Sequence, residues 1–265
     1  DFERRINNAY VRLDGHDINY HIPQPEQPNG SCNFVAFTDS TSLTFTTTRP
    51  ETMVYTLDGS EPNPTSTPYT EPIKVKETTT LKIRTALPSG KMSPTRVITV
   101  EKQTLSPAKT IENTTPGLKM KMAMGTFLKA SELDKVTDWK ELTIKSLRDI
   151  RSQVNSTESM RGVEQYGAIA TGYVEIPEDG VYYFSSNNDE VWIDGKCLIN
   201  NEGEVKRFPR TDASMALAKG LHEIKVVFLG HIIGGWPSLW DSASINIRKA
   251  DQEKFTSIKP EQLFY

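Results

Sequence analysis

The chain holds only two cysteines, Cys32 and Cys197, in 265 residues. They lie far apart and match no metal-ligand spacing, which leaves two free or buried thiols, or at most one disulfide between them. Long apolar runs are also missing. Every candidate strand is too short to cross a bilayer, so no membrane span is expected. Charge of one sign is missing as well: 31 Lys and Arg against 34 Asp and Glu give a net charge of −3. That balance makes no electrostatic case for nucleic acid or anionic membrane. No signal peptide opens the chain, and DFERR begins in mid-pattern, as a cut piece would. No Ser-His-Asp order, metal cluster or phosphate-cradling loop stands out, so catalysis by these residues is the least expected function. No catalytic residue, metal or cofactor is assigned.

What is present is β pattern, and the length favours two domains. Residues 1–14 read as a helix, with Phe2, Ile6, Tyr10 and Leu13 at helical spacing, Asp1 as a possible cap and Gly15 as a stop. The stripe needs a partner surface, which points to a larger domain upstream. The Pro-rich INYHIPQPEQPNG follows as an extended connector.

Residues 34–101 form a first β unit. VAFTD, LTFTTT, MVYTL, IKVK, LKIRTAL and RVITVE are short β-forming runs set apart by turn material, the spacing of a small sandwich. DGSEPNPTSTPYTEP reads as an ordered loop. With no Trp, His or Cys beyond Phe34, this unit reads as a structural spacer. Residues 102–116 lack periodicity and read as a linker, and a second β unit runs from Gly117 to the end. Leu118, Met120, Met122 and Met124 alternate as core positions. In residues 129–165, Leu133, Val136 and Trp139 hint at a short helix. From Leu221 to Leu229, His222, Ile224, Val226 and Phe228 share one face while Glu223 and Lys225 share the other, which makes His222 a satisfied core histidine.

The stretch with most functional content is GVYYFSSNNDEVWIDGKCLINN, residues 180–201. Val181–Phe184 and Val191–Ile193 are β runs flanking a polar break, and Asp194-Gly195 is a hairpin-turn signal. In one regular strand, Val191 and Ile193 face the core while Trp192 faces away. Asn187, Asn188, Asp189 and Trp192 are therefore candidate carbohydrate-binding groups. Trp236 and Trp240, on the Gly-rich stretch 230–242, join them. The plain alternative is a hairpin whose Trp covers a neighbouring strand, with the other two packed under their loop.

Three stretches carry family resemblances. YTLDGSEP, TTLKIRTA and the Gly-Lys-Met-Ser ending resemble the chitobiase/β-hexosaminidase C-terminal domain, a small immunoglobulin-like unit. GVYYFSSNNDEVWIDGK, GLHEIKVVF and KPEQLFY resemble the protective-antigen-like β-sandwich found in glycosidases, adhesins and toxins. FERRINNAYVRLDGHDINYHIP is similar to the last barrel helix and exit of family 20 glycoside hydrolases. Together they imply an all-β pair of sandwiches with a short helix left from an upstream barrel. Residues 1–33 would be the barrel end and connector, 34–101 the immunoglobulin-like domain, 102–116 the linker and 117–265 the protective-antigen-like domain.

The resemblance further implies the C-terminal part of a bacterial exo-β-N-acetylhexosaminidase exported from the cytoplasm. Catalysis by an adjacent Asp-Glu pair would lie on the barrel, before residue 1. Asp189-Glu190 is adjacent in the same way, but in a regular strand the two side chains point to opposite faces and cannot flank one bond. Sugar-binding protective-antigen-like modules hold calcium through an Asp-Asp pair. Here the stretch reads Asn187-Asn188-Asp189, and replacing carboxylates by amides removes the charge a hard cation wants, so calcium is not expected.

Three roles follow. One is weak binding of an N-acetylglucosamine-containing glycan, on the order of millimolar to tens of micromolar, which concentrates a polymeric substrate near the barrel. The second is structural, with both sandwiches packed on the upstream barrel and holding no ligand. The third is a protein-interaction or adhesion module.

Overall fold

The computed structural model describes residues 2–16, 18–28, 32–48, 51–150, 165–202, 210–230, 232–233, 236–237 and 244–265. Among the described residues the protein is β-stranded apart from one N-terminal α-helix, a helical start at 149–150 and short 3-10 turns. It divides into two units, one of Asp1–Asn29 with Ser40–Glu101, the other of Gly30–Asp39 with Lys102–Tyr265.

In the first unit, Arg96–Lys102, Thr79–Ala86, Thr52–Thr56 and Thr67–Pro68 line up side by side, while Thr41–Leu43 pairs with Ile73–Val75. Alternation sets the core: Leu81, Ile83, Ile98 and Val100 are fully buried, and the residues between them are not. The Pro-rich loop is ordered by its own side chains. Asp58 Oδ1 accepts from Ser60 N at 3.0 Å, and Asn63 Oδ1 from Thr65 N at 2.9 Å. Helix Phe2–Gly15 and the connector belong to this unit. Glu26 exchanges backbone bonds with Thr46, Thr85 Oγ1 donates to Pro23 O at 2.7 Å, and Lys91 Nζ lies 3.6 Å from Asp14. The suggested cap, Asp1, lies outside the described residues.

The second unit is a two-sheet sandwich. One sheet runs Thr256–Ser257, Ile245–Lys249, Gly180–Ser186, Arg210–Leu217, Phe34–Phe37. The other runs Lys196–Asn200, Glu190–Ile193, Gly220–Gly230, Tyr166–Ile176, Leu118–Met124, Lys140–Ile144, with Leu263–Phe264 also on Tyr166–Ile176. Phe184, Met215 and Ile247 from the first sheet meet Met120, Met122, Val191, Ile193, Ile224, Val226 and Phe228 from the second in one core.

Three local features differ from the sequence expectation. Strand Phe34–Phe37, expected to open the first sandwich, pairs in parallel with Arg210–Leu217 of the second, and Ala36 N donates to Ser214 Oγ at 2.7 Å. The stretch 102–116, expected to be a linker, lies along the second unit. Ser106 N donates to Ala216 O at 2.9 Å, Lys109 N to Leu221 O at 2.8 Å, and Thr115 N to Tyr265 O at 2.8 Å. Isolated bridges of this kind leave no periodic pattern to read. Met124, expected in the core, is 47% exposed, because the strand ends there at Gly125. Cys32 and Cys197 are not joined in a disulfide, and their thiols contact Phe34 O and Ile199 O.

Candidate functional site

The polar break between Ser185 and Glu190 is where the chain passes from one sheet to the other. Gly180–Ser186 pairs with Arg210–Leu217 and Ile245–Lys249, whereas Glu190–Ile193 pairs with Lys196–Asn200 and Gly220–Gly230. A buried crossing needs internal partners for its polar groups, and these side chains supply most of them. Asn187, Asn188 and Asp189 are all at most 2% exposed. Ser244 N donates to Asn187 Oδ1 at 2.9 Å, and Leu229 N donates to Asp189 Oδ2 at 2.6 Å. Asn188 Nδ2 donates to Ser186 Oγ at 2.6 Å and to Ser244 O at 3.1 Å. Asn201, not singled out in the sequence, completes the cluster, its Nδ2 donating to Ser186 O at 3.1 Å and Asn188 O at 2.7 Å. The Oδ1 atoms of Asn188 and Asn201 are buried without a hydrogen-bond partner among the described residues. No group of three or more His, Cys, Asp or Glu able to hold a metal occurs among those residues.

Trp192 lies on the other side of its strand. Val191 and Ile193 are fully buried in the core, and Trp192 is half-buried on the outer face of the sheet. Its Nε1 donates to Glu190 Oε2 at 2.7 Å, and Lys225 Nζ stands 5.0 Å from its ring centroid. The hydrogen bond to Glu190 orients the indole, and the Lys225 contact is a weaker one on its ring. Asp189 and Glu190 thus have separate engagements, the first with the Leu229 amide and the second with the Trp192 indole.

Trp192 helps to line a groove of 570 Å³, together with Lys119, Thr171, Tyr173, Glu223, Lys225 and Tyr265 among others. A second groove of 610 Å³ shares Lys119 and Thr171 and continues past Lys121, Glu141 and Thr143. The register explains this surface. Lys119 is opposite both Thr143 and Thr171, Thr171 is opposite Lys225, and Lys225 is opposite Trp192. One row of outward side chains therefore crosses five strands. Farther along, the outer face is covered. Leu133, in 3-10 turn Ala130–Lys135, packs on Val227 and Leu229 with Phe127, Val136 and Trp139 beside it. The short helix expected from Leu133, Val136 and Trp139 is this six-residue 3-10 element, which ends before Val136.

His222 is fully buried and satisfied, as its place in the pattern implied. Nδ1 meets Asp194 Oδ2 at 2.7 Å and Nε2 meets Ala218 O at 2.8 Å. Each ring nitrogen thus has a polar partner within hydrogen-bond distance. Asp194, with φ 48°, and Gly195, with φ 77°, form the expected tight turn between Glu190–Ile193 and Lys196–Asn200. Tyr183 is held neutral: burial, with Cys32 nearby, pushes its phenol up to about 12.

Of the six sequence candidates, the structure gathers Asn187, Asn188 and Asp189 in the crossover and sets Trp192 on the groove. Trp236 lies in a two-residue strand, Trp236–Pro237, paired with Ile232–Ile233. Trp240 lies outside the described residues. The groove's row could not be singled out from the sequence, because it depends on pairing register.

These features define the second unit as a β-sandwich module with a groove on the outer face of one sheet. Residues 36–99 match the chitobiase/beta-hexosaminidase C-terminal domain and residues 136–255 match the PA14 domain. A curated beta-hexosaminidase of Porphyromonas gingivalis is 50% identical over 264 residues, which cover 100% of this chain and 34% of that protein. In these matches the chain resembles a C-terminal region of a hexosaminidase, and it spans about a third of that relative's length. Among solved structures, the PA14 domain of the MpAFP antifreeze protein gives a TM-score of 0.43 at 16% identity, covering 59% of this chain and 94% of that one. The Epithelial Adhesin 9 A domain of Candida glabrata, solved with Galb1-3GlcNAc, gives 0.39 at 8% identity, covering 59% and 92%. Among the described residues, no helix is long and apolar enough to cross a membrane.

Proposed function

We propose that this region is a non-catalytic, carbohydrate-binding part of an exo-β-N-acetylhexosaminidase that works outside the cytoplasm of a bacterium. It holds N-acetylglucosamine-containing glycan near a catalytic barrel carried elsewhere in the parent chain. The observation that supports this most is Trp192, half-buried, oriented by Glu190 and contacted by Lys225 in a groove that also offers Thr171, Tyr173 and Tyr265. An aromatic face takes the apolar face of a sugar ring, and hydroxyls and ammonium groups take its oxygens. The Asn187, Asn188 and Asp189 side chains support the site by fixing the crossover that leads into Trp192. Affinity on the order of millimolar to tens of micromolar is enough when the substrate is polymeric, since one engaged site raises the local concentration of the rest.

The first unit carries a structural role in this reading. Its bonds to the connector at Pro23, Gln24 and Glu26 suit a spacer that fixes the position of whatever precedes it. Affinity electrophoresis in gels containing soluble N-acetylglucosamine polymer tests the proposal. Retardation of the chain that Trp192→Ala removes supports it. Equal mobility of both proteins, each folded by circular dichroism, leaves only the structural role.

A further inference from the structure

The row across the outer face carries more than an aromatic platform. Lys119 and Lys225 both belong to it, separated by Thr171 on the strand between them. At the usual strand spacing the two positions stand about 10 Å apart, close to the length of a disaccharide, and the row from Thr143 to Trp192 spans about 19 Å. Lys121 adds a third cation one step along its strand.

Each of these lysines lies over an aromatic ring. Lys119 Nζ is 5.5 Å from the centroid of Tyr265, Lys121 Nζ is 4.3 Å from that of Trp139, and Lys225 Nζ is 5.0 Å from that of Trp192. None forms a salt bridge with a carboxylate among the described residues. Two carboxylates also line the grooves. Glu223 already has a cation, Lys109, at 3.7 Å, and Glu141 stands opposite Lys121 in the register. Among the residues that line the two grooves, three lysines stand with two carboxylates, and Glu190 beside them is engaged by the Trp192 indole. An exposed cation–π contact is a light hold that a full negative charge displaces. The lysine then leaves the ring, and the ring is free for a sugar face.

We infer that the groove takes an anionic saccharide, one that alternates N-acetylhexosamine with a ring bearing a carboxylate or sulfate, with Lys119 and Lys225 on successive anionic groups and Trp192 on a sugar face. The inference rests on the glycan-binding reading above and adds the charge of the ligand.

The test is calorimetric or NMR titration of the whole 265-residue chain with length-matched oligosaccharides: neutral chitin oligomers, hyaluronan oligomers bearing carboxylate alone, and sulfated chitin oligomers bearing sulfate alone. At least one acidic series is expected to bind about tenfold more tightly than the neutral one at low salt. That preference is expected to shrink as salt is raised and to approach unity in Lys119→Gln/Lys121→Gln/Lys225→Gln. The three single variants serve if the triple variant does not fold. Equal affinity for neutral and acidic oligomers overturns the inference and leaves the glycan-binding proposal standing. An acidic preference that survives the lysine substitutions overturns this groove as its source. Absence of binding by every oligomer, in a folded sample, overturns both.

Discussion

Asp194 Oδ2 receives His222 Nδ1 and Ser106 Oγ, each at 2.7 Å, so one carboxylate ties a turn, a core strand and the segment leading into the second unit. Its other oxygen accepts from Glu223 N at 3.0 Å. Asp194→Ala leaves three donors without their acceptor and also places alanine at φ 48°. Leaving a buried donor without its acceptor costs about 1–3 kcal/mol. Urea unfolding is expected to show a loss of that size, with a smaller loss for Asp194→Asn, which tolerates the backbone angle and keeps one acceptor. A loss near zero in the alanine variant would contradict this role.

Gly172 sits where the last strand meets the sheet. A Cβ there would come 2.3 Å from Phe264 O and 2.7 Å from Leu118 Cδ2, and the first of these is backbone. Gly172→Ala is therefore expected to push away Leu263–Phe264 and to cost about 1–3 kcal/mol. Hydrogen exchange at the Tyr265 amide, bonded to Thr115 O at 2.9 Å, reports the displacement directly. Unchanged protection would show that the strand end absorbs the methyl group.

Glu61 gives a pH-dependent contribution in the first unit. Thr95 Oγ1, first, and then Lys82, whose Nζ is 3.0 Å away, hold its carboxyl below the ordinary Glu range. A depressed folded value means stability that is present above the unfolded pKa and lost as pH falls through the folded one. Carboxyl-resolved NMR is expected to show a low Glu61 midpoint that rises towards the ordinary value in Thr95→Val. An unmoved midpoint would remove Thr95 as the main cause.

Much of this was legible in the sequence where one periodicity carried the information. The faces of Gly220–Gly230 follow the alternation that put His222, Ile224, Val226 and Phe228 inside, and Asp194-Gly195 makes the turn it signals. Val227 and Leu229 break the alternation because Leu133 and its neighbours cover the outer face there, a contact between distant segments that no local window contains. The Asn187–Asp189 stretch reads as ligand chemistry in sequence because amides beside a Trp look available. In the structure the sheet crossing buries them and the strand turns Trp192 the other way. The lysine row is illegible for a related reason: Lys119, Lys225 and Trp192 lie in three strands and meet only through register.

Calcium is expected to be irrelevant to the groove. The carboxylates there stand against lysines, and the crossover offers a single carboxylate, Asp189, whose Oδ2 accepts the Leu229 amide. Glycan titrations with excess chelator and with added calcium are expected to coincide. A chelator-sensitive affinity would move the site to the crossover, where the Oδ1 atoms of Asn188 and Asn201 are buried and unpartnered among the described residues.

The measurement closest to the central claim is a nitrogen-resolved NMR titration of the chain with N-acetylglucosamine oligomers, following the Trp192 indole Nε1–H. The indole is bonded to Glu190 and faces the groove, so it is expected to shift saturably, together with the amides of Thr171, Tyr173 and Lys225. Trp192→Ala is expected to abolish the shifts, while Asn188→Ala lowers stability and leaves them in place. An indole signal that stays still to millimolar oligomer in a folded sample would contradict glycan binding at this groove.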